Sequence, residues 1–151
     1  MGFFNKLKEG ALEMQNQLSS QVKQFKNKNF ADGTMAVCAL VAAADGSIDA
    51  DERRKTASFI SSNDTLSVFD VSQLQKSFNG YCDKLTNDFD FGKIDLLQVI
   101  AKLKKSPAQA RAAVQVAVII GNADGNFDED EKKIVREICQ TLDINPSDFD
   151  V

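Results

Sequence analysis

GTMAVCALVAAADGSIDADER, residues 33–53, runs from ten consecutive apolar side chains, Met35 to Ala44, into a glycine flanked by acids. A stretch that is apolar all round reads as a helix buried on every side. Gly46 suits the left-handed residue that ends such a helix. Asp49 suits the cap of a second helix, and Glu52, three residues on, is placed to reach back to the cap's amide. The device returns 79 residues later, where ADGNFDEDEK at 123–132 matches ADGSIDADER at 44–53 in six of ten positions. The chain therefore holds two helix-elbow-helix units, an internal duplication too widely spaced for a solenoid.

Working outward, every other segment carries helical signals, and no alternating apolar and polar run reaches strand length. In the leader, Phe4, Leu7, Ala11, Met14, Leu18, Val22 and Phe25 recur at spacings of three or four, an amphipathic helical stripe. ADERRKTASFI, residues 50–60, predicts the helix after the first elbow, with Ala57 and Ile60 turned inward. NDTLSVFD, 63–70, reads as a loop; Ser72 and Gln75 then have capping-box spacing ahead of a stripe of Leu74, Phe78, Tyr81 and Leu85. A further helix is expected over 91–103. Ser106 as cap, Pro107 at the first helical position and Gln109 closing the box start the next, which runs to the second elbow. EDEKKIVREICQTL, 129–142, is the last long helix, and Asn145 and Pro146 open a short terminal turn. The predicted fold is all-α: a single-domain bundle of about seven helices in which a pseudo-twofold axis relates the two units. Residues 1–29 form an amphipathic N-terminal helix separable from a helical domain at 30–151.

The composition, 43% hydrophobic and 26% charged over 151 residues, is that of a soluble globular chain. Its longest apolar run falls far short of the ~20 residues that cross a bilayer, and the N-terminus lacks a secretory signal. Cys38, Cys82 and Cys139 are odd in number and far apart in sequence, which argues against a disulfide framework and for a reducing cytoplasm. Cys38 and Cys139 read as buried hydrophobes. The net charge of −4 is uneven: residues 1–28 hold five lysines against Glu9 and Glu13, a surplus of +3, which leaves −7 for the remainder. An acidic body with a short basic leader is a poor nucleic-acid binder. The leader's stripe and lysines suit ordinary packing, a partner helix or peripheral contact with an anionic membrane. Lys8 and Lys26, which fall near the stripe, weigh against lipid.

Tight turn, cap and helix dipole account for much of each elbow without a ligand. Two features exceed that account. Asp45 and Asp124 fall at helix C-termini, where the dipole disfavours negative charge, and the acids are dense, four in 45–52 and five in 124–131. Converging carboxylates repel unless a cation offsets them. With no histidine in the chain, zinc, copper and haem lack their usual ligands, whereas oxygen ligands suit Ca²⁺, Mg²⁺ or Mn²⁺. An EF-hand does not fit, because Val41 and Ala43 would stand at loop positions 1 and 3. What remains is a half-site in which Asp45, Asp49 and Glu52 face Asp124, Asp128 and Glu131. The alternatives are capping alone, and offset by a partner's basic side chains or by Arg53, Arg54, Lys132 and Lys133. Catalysis is a weaker reading: no histidine can serve as base, and neither a GxxxxGK nor a GxGxxG loop is present.

With both ADG-x-[IF]-D-x-D-E elbows and the SPAQ helix start at 106–109, the chain resembles TerB, the tellurite-resistance operon B protein family, over nearly its whole length. The resemblance implies an all-helical cytoplasmic protein, not an enzyme, that serves tellurite and wider stress resistance. It also implies operon partners, among them an integral membrane protein and calcium-binding companions, with Asp45, Asp49, Glu52, Asp124, Asp128 and Glu131 as metal ligands. The leading expectation is a metal-binding or adaptor module. A Ca²⁺-responsive sensor comes second and an acid-base hydrolase third.

Overall fold

The structure is a computed structural model that describes residues 18, 20, 22–123 and 127–151. Among the described residues the regular elements are helical, as expected: α1 (Lys28–Ala42), α2 (Ala50–Ser62), α3 (Val71–Asn87), α4 (Phe89–Ala101), α5 (Pro107–Gly121) and α6 (Glu129–Leu142). Short 3₁₀ turns stand at Asp64–Leu66, Lys102–Lys105 and Pro146–Phe149. The chain forms one all-α domain.

Helix α1 is the central strut, packed on α3, α4, α5 and α6. Phe30 and every residue from Gly33 to Val41 are buried, which is what a run apolar on all sides requires. It begins earlier than the apolar run because the Asn27 side chain accepts from the Phe30 N–H at 2.8 Å. The leader's end joins the packing: Leu18 and Val22 are buried, and Phe25 lies 5.6 Å from Phe30 between ring centroids.

Helices α1 and α5 run side by side in the same sense. At one end Asn27 Nδ2 meets Gln109 Oε1 at 3.5 Å; at the other, Val41, Ala42 and Ala44 and, from α5, Ala117, Ile120 and Gly121 border a common cavity. Helix α6 runs the opposite way, which brings Asp143 beyond its C-terminus to Lys104 at 3.2 Å. The elbows, at the C-termini of α1 and α5, thus share one end of the bundle.

Several local expectations shift. The stretch 63–70 is not a plain loop: Asn63 caps a 3₁₀ turn that buries Thr65 and Leu66, and Phe69 stacks on Phe30 at 5.9 Å. Helix α3 starts at Val71 because Asp70 accepts from the Ser72 N–H at 2.9 Å. Ser72 is therefore inside the helix, and Gln75, freed from capping, donates to Ser61 Oγ. Likewise Asp88 accepts from the Phe91 N–H at 3.1 Å and starts α4 two residues early. Leu103 falls in the following 3₁₀ turn. Ser106 and Pro107 open α5 as expected, with the Gln109 N–H donating to Ser106 Oγ at 3.4 Å, but the Gln109 side chain turns to Asn27.

Candidate acidic cleft

In the first elbow Gly46 has φ of +93°, the left-handed conformation that glycine adopts without strain. This turn lets the Asp45 carboxylate fold over it, where Oδ1 accepts from the Ser47 N–H at 3.1 Å and from Ser47 Oγ at 3.3 Å. Asp49 then caps α2: its Oδ1 accepts from the Glu52 N–H at 2.7 Å, and Glu52 Oε2 accepts from the Asp49 N–H at 3.5 Å. The second elbow repeats this box. Asp128 Oδ1 accepts from the Glu131 N–H at 2.9 Å, and Glu131 Oε1 from the Asp128 N–H at 3.4 Å. Both elbow capping boxes expected from the sequence are formed, and each supplies acceptors to two N–H donors that a helix start leaves without intrahelical partners.

The elbows also meet. Asp45 and Glu52 from the first, and Asp128 and Glu131 from the second, line one cavity of about 200 Å³ floored by Cys38, Val41, Ala117, Ile120 and Gly121. Gly121 opens that floor, since a Cβ there would stand 3.2 Å from Glu131 Oε2 and 3.0 Å from the Phe127 ring. Asp49 is exposed and does not border the cavity. Asp124 lies outside the described residues. Among those described, no three acidic or thiol side chains close to the spacing of a metal's ligand set.

Three of the four basic residues that the sequence nominated, Arg53, Arg54 and Lys132, pair elsewhere, and Lys133 does not line the cleft. Arg53 binds Asn79, with Nε to Oδ1 and Nη2 to the carbonyl oxygen both at 3.0 Å, and Asp83 at 2.8 Å. Arg54 pairs with Asp51, and Lys132 with Glu129 at 3.6 Å. Instead Lys55 lines the cleft. Its signal was present, since Lys55 stands three residues after Glu52 and so shares its helix face.

Partial desolvation raises the Glu52 pKa above its ordinary 4.5, and the negative charges of Asp49 and Asp45 add to this against the Asp49 N–H and Lys55. A folded pKa above the unfolded one means that the group's contribution to stability is complete below the unfolded pKa and is lost as pH rises through the folded value. Glu52→Gln removes that loss. In urea denaturation its stability relative to the wild type is expected to rise as the pH climbs from the ordinary carboxylate range through the raised folded pKa; a pH-independent difference would contradict the cause given.

All three thiols are free and buried. Burial pushes Cys38 and Cys82 up to about 12 and Cys139 up to about 11, so little thiolate forms near neutral pH. Cys38 and Cys82, distant in sequence, lie close enough for the second to raise the first.

Paired helix-elbow-helix units that pool their acids in one cleft define the class: an all-α bundle with a twin-elbow site. A family model described as Tellurite resistance protein TerB matches residues 31–151. The Tellurium resistance protein TerB of Alcaligenes sp is 34% identical over 118 residues, covering 78% of this chain and 97% of that protein. The chain belongs to the TerB family of tellurite-resistance proteins. No solved structure matches it.

Proposed function

We propose that the chain serves tellurite resistance as a non-catalytic binding module whose cleft holds a hard divalent cation, Ca²⁺, Mg²⁺ or Mn²⁺, between the elbows. One observation carries this: four carboxylates from both elbows line a single cavity together with one lysine. The donors are oxygen only, which suits hard cations. Glu52 and Glu131 are also engaged in capping, so the ion keeps part of its hydration shell, and affinity is expected to be weak, about 0.1–1 mM. Asp124 completes the ligand set from the second elbow, Asp49 acts chiefly as a cap, and a pseudo-twofold relation of the units would present the ion symmetrically. The loaded cleft is the surface offered to other tellurite-resistance proteins. The lack of histidine and the high thiol pKa values support a role without catalysis.

Isothermal titration with each of the three ions tests this reading. Saturable binding is expected, tightened in Lys55→Met, which removes the competing positive charge. No heat with any of them at about 10 mM, well above the weakest calcium modules, would defeat it.

A further inference from the structure

Helix α4 presents apolar side chains on two opposite sides. Leu96 and Ile100 face the core and are fully buried, whereas Phe91 is 71% and Ile94 52% exposed, the most exposed large apolar side chains among the described residues. Phe91, Ile94, Gln98 and Ala101 follow one another at three and four, so they share the face turned away from the core. Rotation of the helix cannot bury that face. On one flank Gly92 lies so close to α3 that a Cβ there would stand 2.7 Å from the Lys84 carbonyl oxygen. On the other, Lys93 Nζ holds Glu137 of α6 at 2.6 Å. Single exposed apolar side chains are ordinary, but two large ones a turn apart on a fixed helix leave an apolar strip open to solvent. Charge is laid out along the same strip: Asp88 and Asp90 are exposed at its start, Lys102 and Lys105 just beyond its end. Among the described residues, Asp90, Lys102 and Lys105 have no ion-pair partner.

We propose that this strip pairs with the same strip of a second copy, antiparallel, about a twofold axis near position 96. A twofold interface must be complementary to itself, and α4 meets that condition. Turned end for end, it sets Asp88 and Asp90 of each copy beside Lys102 and Lys105 of the other. A parallel pair would instead bring acids to acids and align the two helix dipoles. In the antiparallel register Phe91 packs over Ala101 of the second copy, whose small side chain leaves room for the ring, and Ile94 packs over Gln98. Half-buried Leu97 borders the same seam. Asp95 falls nearest the axis, where the two copies' carboxylates repel and hold the affinity down. Helix α4 has 13 residues, a length of about 20 Å. An interface one helix wide lies at the small end of the size range, so Kd is expected at about 10–100 µM. No residue of α4 lines the acidic cleft, so the dimer carries two clefts, both open.

Sedimentation velocity of the full chain from about 5 to about 500 µM tests the pairing, with a chelator present so that no cation bridges two clefts. A reversible shift is expected from the monomer mass of 16.6 kDa to twice that value, with monomer alone at the low micromolar end. Phe91→Ala with Ile94→Ala, both exposed and in a helix that tolerates alanine, should keep the wild-type circular dichroism and stay monomeric throughout. Lys102→Glu should weaken association about tenfold, because the symmetry repeats each charge pair. Asp95→Asn should tighten it about threefold by relieving the repulsion at the axis. A wild-type chain that is still monomeric at the highest concentration would overturn the pairing and leave the strip to a different protein. Growth past the dimer would contradict a closed twofold. Association unchanged in the Phe91 and Ile94 variant, or weakened by Asp95→Asn, would overturn the interface described.

Discussion

Glu52→Gln combined with Glu131→Gln is expected to abolish divalent-cation binding while leaving the fold intact. Glutamine at the third helical position still accepts from the cap's N–H, so both capping boxes persist. What disappears is two of the four carboxylate charges that line the cleft among the described residues. Two unit charges ~6 Å apart interact by about 3 kcal/mol at an effective dielectric of 20, and a divalent ion doubles that, so affinity should fall at least 100-fold. Helicity by circular dichroism should stay at the wild-type level, and the cation-free protein should gain slightly in stability as repulsion is relieved. Unchanged binding would show that these carboxylates are caps and nothing more. Collapse of the fold would show that glutamine does not replace the box and that the electrostatic account of the elbows is wrong.

Phe30→Ala should have the largest effect on stability. Phe30 is fully buried at the first turn of α1, between Phe25 and Phe69, and joins the leader's end to the corner before α3. Truncating such a ring leaves a cavity that three separate segments must collapse to fill, a loss of about 3–5 kcal/mol. That is a large part of the 5–15 kcal/mol typical of a domain. Phe91, 71% exposed on α4, is the control: Phe91→Ala should change stability by no more than about 0.5 kcal/mol in urea denaturation. Similar losses for both variants would contradict the packing described.

What the sequence disclosed follows from the range of the interactions involved. The boxes of Asp49 with Glu52 and Asp128 with Glu131 are contacts over three residues, and spacing alone revealed them. The buried α1 was equally legible, because nothing but a surrounded helix tolerates apolar residues on every side. Convergence of the elbows rested on the duplication. Where two local caps competed, sequence reasoning chose wrongly: Ser72 has the right spacing to Gln75, but Asp70 reaches the Ser72 N–H first. Asp88 was missed in the same way at α4. Contacts set by tertiary packing were hidden, such as Arg53 turning to α3 and Cys38 lying near Cys82. The leader's helical stripe was visible, but burial of Leu18 and Val22 depends on a surface that only the folded body provides.

The central claim is that both elbows serve one ion. Substoichiometric Mn²⁺ added to ¹⁵N-labelled protein tests it most directly, because a paramagnetic ion broadens the amide signals around it. Signals of residues 45–52 and of residues 121–131 should broaden together, at the same Mn²⁺ concentration and to a similar degree, with those of the 3₁₀ turn at Lys102–Lys105 unaffected. Broadening of one elbow alone, or none beyond that of scattered surface carboxylates, would contradict a shared site.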